Sequence, residues 1–423
     1  MSAQHNGAVA EWRRYWPLPV AAGFGYATSV IHIYGLGPYI EPVQETFGWS
    51  RTQTTIGLTI ATIVNAAFGV PIGMLIDRFG PRIIGMIGIA LTCAAFALLS
   101  TSDGSASNWY LLWGLLAFAT LPVQATVWTG AVTSRFSASR GLALAVTLCG
   151  ASLAAFVFPR LAAQLIADHG WRNAFLYQAI IWVLIAFPMI ALFFRGARDG
   201  KTKTVDAEKQ AATVLTGASI KQALRTGAFY QLFIASLLFT FTILALVVHF
   251  VPILTDSGAD RLAAASVASL VGVFSIVGRL GTGFLLDRFR ASYVGAVIFV
   301  LPILACLLLL YAGGNVQAQL VAAAIIGLTL GSEVDVIVYL TARHFGLKHF
   351  GALYGAMLTA LSIGAAFGPL AAASVYDSDN SYAAFLWLTI AIMAVSSLAI
   401  GSLSQPAYAA GAAIDAESSE RGP

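Results

Sequence analysis

The chain has 423 residues, of which 58% are hydrophobic and 10% charged, with a formal net charge of +4. Soluble domains carry about 25% charged residues, so this composition excludes water as the main solvent and makes the bilayer the expected one. The basic residues are scattered through short loops between apolar runs, which excludes a nucleic-acid surface.

In chain order, residues 1–15 form a polar arm that lacks the apolar region and cleavage site of a signal peptide. A membrane-crossing helix needs roughly 20 mainly apolar residues. Twelve runs meet that length. The first half, 16–195, holds runs at 16–38, 56–76, 83–101, 108–133, 141–167 and 174–194. A basic linker follows at 196–226, with Lys201, Lys203, Lys209 and Lys221 and room for one surface helix. The second half, 227–404, holds runs at 228–253, 263–286, 292–312, 316–341, 351–375 and 382–403. The tail, 405–423, is small and acidic, and is expected to be disordered. The predicted fold is therefore an all-α membrane protein of twelve transmembrane helices in two pseudo-symmetric six-helix bundles.

The two halves nearly repeat one short stretch, Gly73-Met-Leu-Ile-Asp-Arg-Phe79 and Gly283-Phe-Leu-Leu-Asp-Arg-Phe289, 210 residues apart. Duplicated bundles of this kind bind solutes between their halves. Lys and Arg divide eighteen to three between alternate sets of loops, and the poor set holds Arg51, Arg172 and Arg261. By the positive-inside rule both termini are cytoplasmic. Cys93, Cys149 and Cys306 lie inside apolar runs and read as core residues, with no disulfide, metal site or cofactor implied.

An unpaired charge inside the hydrocarbon costs at least ~2.5–3.5 kcal/mol, so ionisable residues within the runs carry most of the functional information. They are His32, Arg160, His249, Arg279, Glu333 and Asp335. Arg279 precedes Asp287 by eight residues, about 12 Å of helix, which sets it near mid-membrane. Its planar fork matches a carboxylate and does not lose its proton; the alternative is permanent pairing with a structural acid. Glu333 and Asp335 reach a similar depth but point about 200° apart. One of them is the expected proton-coupling group, unless both are static ion-pair partners. Tyr339 follows Asp335 by four residues and shares its face. Arg160 directly follows Pro159, and its role is left open.

The run Gly73-x-x-x-Asp77-Arg78-x-Gly80-x-Arg82 resembles the signature loop of the major facilitator superfamily. The second copy keeps Asp287 and Arg288 but has Arg290 where the glycine would stand. Finer resemblance points to the monocarboxylate-porter branch, which includes lactate and pyruvate carriers and the bacterial oxalate–formate exchanger. It rests on Phe47-Gly-Trp-Ser-Arg51, Arg135-Phe136-x-x-x-Arg140-Gly141, Gly170-Trp-Arg172, Gly278-Arg279, and Gly368-Pro369 followed by Tyr376-Asp377 and Tyr382.

The resemblance implies that Asp77, Arg78, Asp287 and Arg288 latch the cytoplasmic face, although a plain topogenic turn would look the same. It implies that Arg279 holds the substrate carboxylate. It adds Asp256, 23 residues before Arg279, as a further proton site, the alternative being a solvated outer-loop aspartate. Spans one and seven line the central cavity in the superfamily, so His32 and His249 become candidate substrate donors, or else buried histidines satisfied by a carbonyl. Tyr34 and Trp128, with Tyr26, Trp113, Phe241 and Tyr354, could wall a pocket. Some members have a lysine in span one or a second cation in span eleven. Neither is present here, which favours a monoanion.

The function expected is a secondary transporter moving a small monocarboxylate, lactate- or pyruvate-like, with a proton by alternating access in a bacterial inner membrane, as a monomer. A carrier of a larger organic or aromatic acid, an efflux antiporter and a non-transporting sensor are the alternatives. No Walker-type loop and no Gly-x-Ser-x-Gly elbow is present, so an enzyme is not expected.

Overall fold

The computed structural model describes residues 2–136, 139–195, 217–346 and 348–404. The expectations for 196–216 of the linker and for the tail from 405 onward lie outside the described residues. The polar arm is helical, α1 (Ser2–Tyr15). Span one is α2 (Pro17–Ser29), α3 (Ile31–Tyr34) and α4 (Gly37–Phe47). There follow α5 (Arg51–Phe79), α6 (Pro81–Leu98), α7 (Ala106–Thr120), α8 (Ala125–Thr133) and α9 (Arg140–Phe193). The second half has the short α10 (Ile220–Ala223), then α11 (Gly227–Asp256), α12 (Arg261–Arg288), α13 (Ala291–Ala312), α14 (Val316–Phe345), α15 (Phe350–Asp379) and α16 (Ala383–Gly401).

Among the described residues nine helical segments are long and apolar enough to cross a membrane. One of them, α9, is two passes, because Gly170 at φ 77°, ψ 160° reverses the chain inside it. The interrupted α2–α4 run and the 29-residue α5 complete the twelve. Large apolar side chains face outward, Leu111 and Leu398 each being 72% exposed, as expected where lipid is the solvent.

Two expected spans are not single helices. Span one breaks at Val30, whose backbone (φ −114°, ψ 11°) leaves the helical region. Thr28 and Ser29 bond back to the carbonyls of Phe24 and Tyr26 there, a pattern that bends helices. Span four breaks between α7 and α8, where Pro122 lies in a short 3₁₀ turn and Gln124 is extended (φ −63°, ψ 160°).

The chain forms two compact units. Unit 1 comprises Met1–Thr204, Val247–Val273 and Pro369–Ser381. Its core includes Tyr39 stacked on Phe175 at 3.8 Å and Trp182 donating to Thr28 Oγ1 at 2.9 Å. α1 is held by Glu11, which accepts from Ser139 N and Oγ, and by Trp12 against Phe136. Unit 2 comprises Val205–Leu246, Phe274–Gly368 and Tyr382–Pro423, with α13 packed on both α14 and α16.

The repeat in the sequence has a counterpart in contacts. Arg82 donates to the Ala191 carbonyl at 2.5 Å, near the end of span six. Arg290 donates to the Leu403 carbonyl at 3.2 Å, just past the end of span twelve.

Candidate functional site

Unit 2 builds its charged site at the crossing of α12 and α14. A Cβ on Gly331 would stand 1.9 Å from the Ser275 carbonyl oxygen, so the two helices meet backbone to backbone at that point. One turn further along each helix stand Arg279 and Asp335, paired through Nη1 and Oδ1 at 3.3 Å. The Asp335 contact is the single hydrogen bond of Arg279 among the described residues, and its Nε is buried with no partner. A guanidinium has five N–H donors, so most of this one's capacity is open. The arginine side chain is 14% exposed and the aspartate 30%.

Glu333 points elsewhere, as the 200° separation requires. It is buried, and its Oε1 contacts Thr240 Oγ1 of α11. Arg279 bears on it electrostatically. Tyr339 does not join Asp335: its hydroxyl accepts from Arg343 at 3.0 Å.

Unit 1 holds a second network, centred on Arg51. The sequence reading counted Arg51 as a loop charge; it is instead the first residue of α5, with its side chain 4% exposed. Ser50 caps that helix in a reciprocal capping box with Gln53. Asp377, from the end of α15, accepts from the backbone N–H groups of Arg51 and Thr52 at 2.7 and 2.9 Å. Both Nη atoms of Arg51 donate to Asp256, at 3.3 and 3.1 Å. The guanidinium also lies 3.4 Å from the centroid of the Tyr376 ring, a cation–π contact. Glu41 stands at 3.9 Å from Arg51 and accepts from Arg261 at 3.1 Å. Arg261 also pairs with Glu45, and Thr255 donates to Glu41. Glu41, Glu45, Arg51, Asp256, Arg261 and Tyr376 line an open cleft of about 640 Å³.

Asp256 is thus the last residue of α11 and ion-paired, which corrects the picture of a solvated loop aspartate. In the sequence Tyr376 and Asp377 are only marks of resemblance, and Arg51 is such a mark and an outer-loop charge. The Ser50-x-x-Gln53 pattern, a capping box, was the local signal that a helix starts at Arg51. No local signal gave its partners, which are 205 and 326 residues away.

The other candidates lie as follows. His249 is buried, and its Nε2 donates to the Pro369 carbonyl at 2.9 Å, the carbonyl-satisfied alternative. His32 is buried on the short α3, edge-on to Trp113 at 6.1 Å, and its Nδ1 has no partner. Tyr34 is half-buried and lines a small hollow with Pro38, Ala155 and Pro159. Trp128 is fully buried, and its indole N–H donates to the Val123 carbonyl at 2.7 Å. Its ring is 0% exposed in this structure. Arg78 and Arg288 are exposed and lie over the rings of their own neighbours Phe79 and Phe284. The side chains of Asp77 and Asp287 lie outside the described residues. Among the described residues no cluster of His, Cys, Asp or Glu could hold a metal ion.

The model of the Major Facilitator Superfamily matches residues 22–369. The chain belongs to the major facilitator superfamily. It is a multi-pass membrane transporter of small molecules and not an enzyme. It is 27% identical over 319 residues to monocarboxylate transporter 13 of Bos taurus, covering 75% of this chain and 72% of that one. It is 25% identical over 351 residues to the oxalate:formate antiporter of Oxalobacter formigenes, covering 82% of each. A crystal structure of a bacterial homologue of the human lysosomal transporter Spinster aligns with a TM-score of 0.63 at 15% identity, over 91% of this chain and 93% of that one. That likeness bears on the fold alone.

Proposed function

We propose that this superfamily member is a secondary active transporter that carries a small monocarboxylate together with a proton by alternating access. The observation that carries the reading is Arg279, a mid-span guanidinium held by one carboxylate oxygen with its remaining donors open. A substrate carboxylate offers two oxygens to the same fork, and bidentate pairing is stronger than the single contact it replaces. One acid among Glu333, Asp335 and Asp256 carries the proton in this reading: a carboxylate left without a counter-charge in a partly dry site takes up a proton more cheaply than it stays ionised. Anion and proton then arrive together, and the net charge of the site is unchanged. Relatives named for monocarboxylate transport and for oxalate–formate exchange support a carboxylate substrate.

His32, with an unpartnered ring nitrogen, is the second substrate contact we assign, with Tyr34 beside it in sequence. His249 and Tyr339 already have protein partners, and we give them positioning roles. We take the Asp77–Arg78 and Asp287–Arg288 loops as cytoplasmic gates. Both termini are then cytoplasmic, the membrane is the bacterial inner membrane and the working unit is one chain.

The test is uptake of labelled L-lactate, pyruvate and an aromatic acid into proteoliposomes under an imposed pH gradient. Lactate or pyruvate should accumulate, and Arg279→Gln should abolish the accumulation. Transport by that variant at the parental rate would remove Arg279 from the site. Uptake of the aromatic acid alone would replace the small-monocarboxylate reading.

A further inference from the structure

We propose that Glu333 is the group that carries the transported proton, and that Thr240 is its positioning residue, passing the protonation state of α14 to the backbone of α11. The inference rests on the transporter reading above and assigns within it what that reading leaves undivided between Glu333, Asp335 and Asp256.

The argument is a count of hydrogens. Thr240 Oγ1 has one hydrogen and stands in hydrogen-bond contact with two oxygens, the Ser236 carbonyl at 3.1 Å and Glu333 Oε1. If the hydroxyl donates to Ser236, the contact with Glu333 is filled only when Glu333 supplies the hydrogen, as a carboxylic acid. If Glu333 is ionised, the hydroxyl must turn toward it and abandon the Ser236 carbonyl. Only the protonated state gives each of the two contacts a hydrogen of its own. The hydroxyl serves either state, as acceptor from the acid or donor to the carboxylate, so the carboxyl keeps its place while the proton comes and goes.

The surroundings single Glu333 out from the other two carboxyls. Asp335 faces Arg279 at 3.3 Å and Asp256 is paired with Arg51, so each has a cation against it. Among the described residues the hydrogen-bond partner of Glu333 is the Thr240 hydroxyl, and Glu333 is 6% exposed. The charged groups bearing on it are Arg279 from α12 and, on its own helix, Asp335. The other helical segments of unit 2 bring neither a charged residue nor a histidine over 228–246, 292–312, 351–368 and 383–401. A fully buried carboxyl without its own cation is held at least cost as the neutral acid.

In the cycle the O–H bond of the Glu333 acid breaks and the proton passes to water on the receiving side. The Thr240 hydrogen swings from Ser236 to the new carboxylate. Reloading from the opposite side reverses both steps, and no other reactant is consumed. The change at the Ser236 carbonyl is small and falls on one turn of α11.

The test needs no substrate. Infrared spectroscopy on the purified protein in lipid should show a carboxylic-acid C=O stretch that disappears in Glu333→Gln. In Thr240→Val the band should shift, having lost its partner. Its titration midpoint should rise by about one pH unit, because the lost bond to the charged form is the stronger of the two. Thr240→Ser should restore both properties. The proposal is overturned if Glu333→Gln removes no band, or if Thr240→Val titrates like the parent. In proteoliposomes Glu333→Gln should keep labelled lactate exchange and lose pH-driven accumulation. Unchanged accumulation by Glu333→Gln sinks the proton assignment alone. Absence of lactate transport in the parent, with the infrared results intact, sinks the monocarboxylate reading alone.

Discussion

Arg51 in unit 1 and Arg279 in unit 2 are both guanidiniums buried in helices of an apolar protein, and they are held in opposite ways. Arg51 spends both terminal nitrogens on Asp256 and covers its face with Tyr376, while Asp377 caps the backbone beneath it. Among the described residues Arg279 makes one hydrogen bond, at 3.3 Å, through a single terminal nitrogen. The cost of burying a cation falls only when its donors are satisfied. A guanidinium paired through both terminal nitrogens is a fixed part of the structure. An unsaturated one, kept where it is expensive, is suited to an anion that comes and goes.

This contrast can be broken by experiment. The largest effect should come from Arg279→Gln, a loss of lactate uptake on the order of 100-fold, from removal of one member of a desolvated carboxylate pair. Arg279→Lys should recover only part of it, since an ammonium cannot bind both carboxylate oxygens in one plane. Neither change should lower the thermal midpoint in detergent as far as Arg51→Met does. That substitution should destabilise the protein by about 2–3 kcal/mol, below the full value for a buried pair because Asp256 is partly exposed. If Arg279→Gln proves the more destabilising and Arg51→Met the less active, the two roles are reversed.

A second, smaller comparison concerns the duplicated loops. Gly80 sits at φ 84°, ψ 150°, where a side chain is strained, whereas Arg290 at the repeated position has φ −61°, ψ 119°, open to any residue. Gly80→Ala should cost about 1–3 kcal/mol, measured by thermal unfolding, while Arg290→Ala should lose only the Leu403 contact. Equal costs would mean that the two turns share one backbone requirement. The smallest effect is expected from Asp377→Ala, which removes an N-terminal cap from α5 that comes from another helix, at about 1 kcal/mol. A change indistinguishable from zero would show that Ser50 and Gln53 satisfy that terminus unaided.

Hydropathy and length were enough to give twelve passes in this chain, because a backbone in lipid must bond to itself and a helix of fixed rise then needs a fixed number of apolar residues. The repeated loop gave the halves, and scarcity of charge inside the runs gave Arg279, Glu333 and Asp335 as the residues to watch. The breaks at Val30 and Gln124 were hidden, since hydropathy does not register a change of backbone angle. Composition left Trp128 as wall or core, and the fold buries its ring. Tertiary structure alone decided which charges meet: Asp335 rather than Glu333 beside Arg279, Thr240 beside Glu333, and Arg51 joined to Asp256 and Asp377 across more than two hundred residues. Sequence fixes which charges must be buried, through the local energetics of solvation. Whether a buried charge is satisfied depends on atoms that only the folded chain brings within 3–4 Å of it.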